Sequence, residues 1–169
     1  MNYTFLSCLD DYILEHHYRL VNSVLIYEND ELIFERYYNN FTPESRNNLK
    51  SVWKSILSFT LGICLDKGII GSIDEPVCRY LQPFNEDIHP YHKRMTIRHL
   101  LTMSSGIYWN SGVHYHCPMF EQLRRSRNWV GHIADVQMTS LPGAVFQYKE
   151  WDAVLYGLCD LMQPASSRG

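Results

Sequence analysis

Asn47-Asn48-Leu49-Lys50-Ser51-Val52-Trp53-Lys54-Ser55-Ile56-Leu57-Ser58-Phe59-Thr60-Leu61-Gly62-Ile63-Cys64-Leu65-Asp66-Lys67-Gly68 reads as one helix. Asn47 or Asn48 is suited to cap its start, and Gly68 after Lys67 to end it. Val52, Trp53, Ile56, Leu57, Phe59, Leu61, Ile63, Cys64 and Leu65 cover most of its circumference. The polar exceptions are ordered. Ser51, Lys54, Ser55 and Ser58 fall at i, i+3, i+4 and i+7, so they share one narrow stripe that Gly62 continues.

Two readings of the stripe stand side by side. It is the wet face of a surface helix, or it faces a cavity. A surface helix usually carries a wider polar face with several charges. Here Lys54 is the lone charge between Lys50 and Asp66, on a helix expected to be buried on its other sides. Ser51 would lie in or near the first turn, where unpaired N–H groups and the helix dipole favour negative charge. Lys54, one turn on, can reach the Ser51 hydroxyl. A partly desolvated Lys can accept a proton, so Ser51 and Lys54 form a candidate nucleophile and base.

Ser-x-x-Lys alone arises by chance in many chains. The surrounding text is more specific. Leu49 to Ser55 is followed by Gly62, Asp66-Lys67-Gly68-Ile69-Ile70, Ile73-Asp74-Glu75-Pro76-Val77 and Tyr80-Leu81-Gln82-Pro83. Then comes Met95-Thr96-Ile97-Arg98-His99-Leu100-Leu101-Thr102-Met103-Ser104-Ser105-Gly106. Together these resemble the β-lactamase-related serine hydrolases. That family includes class C β-lactamases, D-alanyl-D-alanine carboxypeptidases, esterases and amide hydrolases of the 6-aminohexanoate-dimer type. The resemblance runs from about Ser23 to about Met162. It implies an α/β (α+β) fold of the β-lactamase/transpeptidase-like type, and hydrolysis through an acyl-enzyme without a cofactor.

The same resemblance gives Tyr148 a role. Leu141-Pro142-Gly143-Ala144-Val145-Phe146-Gln147-Tyr148 matches the turn that leads into the family's second motif, usually Tyr-x-Asn. Tyr148 would then sit against Ser51 and Lys54 and relay a proton, as a neighbouring Lys⁺ can make a phenol do. The third residue of the motif is Glu150 where the family has Asn. Asn can donate to a substrate amide carbonyl, whereas an ionised Glu only accepts. That shifts the expected substrate from penicillins and cephalosporins towards a small ester or amide. The family's third motif, a Lys- or His-led tripeptide ending in Gly on a later strand, has no counterpart before Gly169. The expected molecule is therefore the helical lobe plus an N-terminal hairpin. The C-terminal strands, and the oxyanion donor they carry, would be missing.

Composition sets the outer bounds. With 169 residues, 46% hydrophobic and 20% charged, the chain is long enough for one domain with a real core. A net charge of −3 offers nothing to nucleic acid or an anionic membrane surface. No apolar run is long enough to span a bilayer, and Met1 to Asp11 lacks the form of a signal peptide. The five scattered cysteines read as reduced thiols of a cytoplasmic protein.

Along the chain, residues 5–20 read as a helix on Leu6, Leu9, Ile13 and Leu20. Residues 23–27 and 31–38 read as a hairpin around Glu28-Asn29-Asp30. Ser72-Ile73-Asp74-Glu75 has the capping-box form, leading into a short helix that ends near Leu81. Thr96 caps Ile97–Met103, a segment whose Arg98 and His99 are architectural. Met119–Arg127, Asn128–Val136 and Asp152–Met162 are helices. Arg124-Arg125-Ser126-Arg127 is a solvated basic face. His114-Tyr115-His116-Cys117 invites a metal reading, but no second cluster completes a closed site, so no metal is expected.

The expected domain is 1–162, with 163–169 a frayed tail. Ser51, Lys54 and Tyr148 are the expected catalytic residues. Glu150, with Trp109 and Asn110 at the rim of the cleft, is expected to meet the substrate. The exposed sheet edge of a partial domain offers a route to homo-oligomers. A chain that keeps these motifs yet only binds a ligand or partner is the competing expectation.

Overall fold

The computed structural model describes residues 4–86, 89–110 and 118–159. The chain divides into two compact units, Met1–Lys50 and Ser51–Gly169.

Among the described residues, the first unit holds one helix and one hairpin. Helix α1 (Thr4–Glu15) buries Leu6 and Ile13. It ends five residues before the expected Leu20, because His17 takes a left-handed φ of 49° that no helix continues through. Strands β1 (Ser23–Glu28) and β2 (Glu31–Tyr37) pair antiparallel, with Ile26 opposite Phe34 and Glu28 opposite Glu31. Asn29 and Asp30 both have positive φ, as a two-residue hairpin turn of matching twist requires. Asp10 ties helix to hairpin, accepting from the Tyr38 hydroxyl at 2.8 Å and from Arg36 Nε at 3.3 Å. Burial, and then the Asp10 carboxylate, push the Tyr38 phenol up to about 12.

The second unit is helical. Its helices are α2 (Val52–Asp66), α3 (Ile97–Leu101), α4 (Pro118–Arg125), α5 (Trp129–Ala134) and α6 (Glu150–Cys159), joined partly by short 3-10 turns. Leu61, Ile70, Val77, Phe84, Met95, Ile97, Leu100, Trp151 and Leu155 meet in one core. Helix α2 starts at Val52, not at Asn47 or Asn48, and Ser51 is its N-cap residue. Gly68, at φ 69°, follows the last turn as expected.

Three further expectations change. Pro76 bridges to Thr96, and Val77 N–H donates to Met95 O at 2.8 Å, so a 3-10 turn over Val77–Arg79 replaces the helix expected there. Helix α3 closes at Leu101, with Met103 at φ 51° just beyond it. Helix α2 buries only Leu61 and Cys64, while Val52, Trp53, Ile56, Phe59 and Ile63 are exposed. The apolar circumference is real, but α6 covers one side of it.

Thr96 does cap α3, and its N–H donates to His99 Nδ1 at 3.1 Å. Burial lowers the His99 imidazole below its usual value, in keeping with a ring that accepts this bond. Arg98 grips Asp74 through two bonds of 2.6 and 2.8 Å, consistent with an architectural part. Among the described residues no helix is long and apolar enough to cross a membrane.

Candidate functional site

The N-terminus of α2 presents Ser51 and the α6 N-terminus presents Glu150. What brings them together is the packing of the two helices. Gly157 in α6 leaves room for Leu57 of α2; a Cβ there would stand 3.2 Å from both Leu57 methyls. One turn earlier in α2, Lys54 O accepts from the hydroxyl of Tyr156, the neighbour of Gly157, at 2.8 Å. The last turn of α6 is thereby held against α2, and its first residue, Glu150, reaches Lys54.

Lys54 is the centre of the arrangement. Its side chain is 13% exposed, and its Nζ lies 2.6 Å from Glu150 Oε2 and 3.4 Å from Ser51 Oγ. The Tyr148 ring faces the same ammonium, with 5.1 Å from Nζ to the ring centroid. Ser51 is exposed and its side chain makes no capping bond, so its hydroxyl is engaged by Lys54 rather than by the helix backbone. Among the described residues no hydrogen bond joins the Tyr148 hydroxyl to Ser51 or Lys54. The ring, not the hydroxyl, makes the contact. Ser55 and Ser58 continue the stripe in solvent, with Ser58 bonded back to Ser55 O at 2.9 Å.

The expected substrate residues separate. Glu150 is spent on Lys54. Trp109 is buried and packs edge-on against Trp151 at 4.8 Å, which places its side chain in the core rather than on a rim. Asn110 is exposed, and its N–H meets Met119 Sδ at 3.4 Å. The His114–Cys117 cluster lies outside the described residues. Among the described residues no group of three or more His, Cys, Asp or Glu could hold a metal ion.

A second polar cluster, which sequence reasoning passed over, lies behind the first. Lys149, Asp152 and Ser105 are all buried. Lys149 Nζ donates to Ile107 O at 2.8 Å and approaches Ser105 Oγ at 3.4 Å. Ser105 donates to Asp152 Oδ1 from its hydroxyl at 2.6 Å, and to Oδ2 from its N–H at 3.3 Å. Burial lowers the Lys149 ammonium, against the opposing pull of Asp152. Burial raises the Asp152 carboxyl to about 6, with Lys149 and Ser105 working the other way. One signal could have found it: Asp152 is the lone charge in Trp151–Leu158, an otherwise apolar run.

A cavity of about 310 Å³ adjoins this cluster, lined by Gly106, Thr139, Ser140, Phe146, Gln147 and Lys149 among others. None of the residues that line it belongs to the Ser51–Lys54–Glu150 group.

A family model described as Beta-lactamase matches residues 11–159. No curated protein matches the chain. Among solved structures, the chain is similar to a "putative beta-lactamase" from Bacteroides dorei DSM 17855. The TM-score is 0.72 and the identity 20%, over 96% of this chain and 46% of that one. It is also similar to a "putative 6-aminohexanoate-dimer hydrolase" from Bacillus anthracis. There the TM-score is 0.64 and the identity 15%, over 88% of this chain and 40% of that one. At such identities the likeness is one of fold. The chain spans less than half the length of either structure.

Proposed function

The chain belongs to the β-lactamase family, and from that premise we propose that it is a serine hydrolase that cleaves a small ester or amide through an acyl-enzyme on Ser51. The observation that carries the reading is the Ser51 Oγ–Lys54 Nζ approach of 3.4 Å at the start of α2.

In this reading Ser51 Oγ attacks the acyl carbonyl and loses its proton to the Lys54–Glu150 pair. Lys54 can take that proton as it passes one of its own to Glu150, so the pair acts as one base. The backbone N–H of Ser51, at the positive end of α2, faces the developing oxyanion. Tyr148, whose ring already rests on the ammonium, turns its hydroxyl to the leaving group, gives it a proton, and is reprotonated through Lys54 from Glu150. Water then attacks the acyl carbon and passes a proton by way of the Lys54–Glu150 pair to Ser51 Oγ, which leaves as the hydroxyl while the acyl group departs as the acid. The structure from Bacillus anthracis is named a "putative 6-aminohexanoate-dimer hydrolase", and a dimer of an amino acid joined through its amine and carboxyl is a small amide. An ionised Glu150 held by Lys54 offers no donor to a lactam side-chain carbonyl.

A second reading has one specific observation in its favour. The 2.6 Å pair with Glu150 occupies the amine that must act as base, which suits a chain that binds ligand without turning it over.

Intact mass after treatment with a fluorophosphonate separates the two. A single adduct on the folded chain that vanishes in Ser51→Ala is the expected result. A folded chain that takes up no adduct overturns the hydrolase reading and leaves the binding one.

A further inference from the structure

The stretch 143–151 is stitched to 103–109 by bonds that recur on alternate residues. Gln147 N–H donates to Met103 O at 2.9 Å and its side-chain amide to Trp109 O at 2.9 Å. Lys149 Nζ donates to Ile107 O at 2.8 Å. Trp151 Nε1 donates to Tyr108 O at 3.1 Å. Residues 145–149 carry no helix or turn and lead directly into α6 at Glu150. The side chains of Gln147, Lys149 and Trp151 all turn to the 103–109 segment, as their bonds to Trp109, Ile107 and Tyr108 show. Tyr148 and Glu150 are left on the other side, where both meet Lys54.

We infer that Lys149 is a positioning residue of the Ser51–Lys54 site, holding Tyr148 and Glu150 against Lys54 by anchoring the chain between them to Ile107. The inference rests on the hydrolase reading of that site for its kinetic consequence, though not for its geometry. Lys149 sits between the two residues whose placement matters and is 1% exposed. Its stem and ammonium are fixed at the far end by the Ile107 carbonyl, and beside it Ser105 is held by Asp152.

Stability alone is a poor reason for such a residue. Two opposite charges buried near one another, here each meeting Ser105, are commonly no better than well-packed apolar residues of the same volume, because desolvation offsets the attraction. Removing one partner is costly, since it strands the other charge. The variant that isolates positioning is therefore the double one, Lys149→Met with Asp152→Asn, which removes both charges and keeps both volumes. It is expected to keep the fold while losing the tether to Ile107. A misplacement of about 1 Å at a reacting centre can cost on the order of 100-fold in rate.

The test uses the full chain in three forms: native, Lys149→Met, and the double variant. Each carries 3-fluorotyrosine, with the Tyr148 resonance identified by its absence in Tyr148→Phe. Thermal unfolding reports the fold, fluorophosphonate labelling reports Ser51, and the ¹⁹F resonance reports the surroundings of Tyr148. The expected result is a folded double variant, labelled at least about tenfold more slowly, with the Tyr148 resonance moved towards that of a free tyrosine. A folded double variant with native labelling rate and native resonance overturns the inference. Should Lys149→Met alone unfold, the double variant carries the decision. If the native chain takes no label, the hydrolase reading falls. The resonance still decides whether Lys149 positions Tyr148: a shift sustains it and an unchanged line ends it.

Discussion

Lys54 Nζ and Glu150 Oε2 stand 2.6 Å apart across 96 residues of chain, and their contact joins the first turns of α2 and α6. The pair is partly shielded, with side chains 13% and 31% exposed. An ion pair in that setting is worth more than one on open surface. In a double-mutant cycle of Lys54→Met and Glu150→Gln, the coupling is expected to be about 1–2 kcal/mol in favour of the native pair. Urea unfolding of the four proteins measures it. A coupling near zero would mean that the contact contributes nothing to holding the two helices.

Position 54 also separates structure from chemistry. Arg keeps the positive charge and can still bind the Glu150 carboxylate, but it does not give up a proton in proteins. Lys54→Arg is therefore expected to unfold near the native midpoint while Ser51 labelling drops by about 100- to 10,000-fold. Labelling at the native rate in Lys54→Arg would remove Lys54 from the base role and leave it as an electrostatic support.

Gly106 closes the Ser-Ser-Gly run at φ 83°, and a Cβ there would stand 2.2 Å from Ser140 O, a backbone atom that cannot swing aside. Thr139 N–H donates to Gly106 O at 2.8 Å, so the two segments are already in contact. Gly106→Ala is expected to cost at least about 2 kcal/mol, from left-handed strain plus the clash. Thermal unfolding checks it. A native melting point would show that the 139–140 segment yields without penalty.

How much of this was legible depends on the range of the interaction. The hairpin could be read because Asn29-Asp30 dictates a local turn, and the α2 stop because Gly68 needs a left-handed φ. The Thr96 cap was likewise written within four residues. The family was legible because Thr96 to Gly106 carries a long and specific text. The start of α2 was misplaced: Asn47 and Asn48 are good caps by type, yet Ser51 takes that position. The exposed side of α2 was misjudged too, since an apolar circumference records what a helix could bury and not what packs on it. The partner of Lys54 was hidden by distance along the chain. Glu150 stands in the sequence as a departure from Asn, but its meaning lies in where α6 docks. Lys149 was passed over because a lysine between Tyr and Glu looks like surface, and only the alternation of 147, 149 and 151 against 103–109 shows it inward.

The buried cluster carries the last expectation, on pH. Asp152 is fully buried, and its carboxyl rises from 3.8 to about 6, chiefly through burial. A folded value above the unfolded one means that the native state holds this proton more tightly. Its contribution to stability is fully present below the unfolded value and is lost as pH rises through about 6. A rise of that size corresponds to on the order of 3 kcal/mol across the window. The charge that opposes it is Lys149, whose own ammonium is lowered by burial. Asp152→Asn keeps an acceptor for the Ser105 hydroxyl and removes the titration. Urea midpoints of both proteins between about pH 4 and pH 7 are the measurement. The stability of the native chain relative to Asp152→Asn is expected to fall as pH rises across that range and to level off above it. A difference that stays flat would mean that Asp152 is already ionised throughout, and that Lys149 and Ser105 outweigh the cost of burying it.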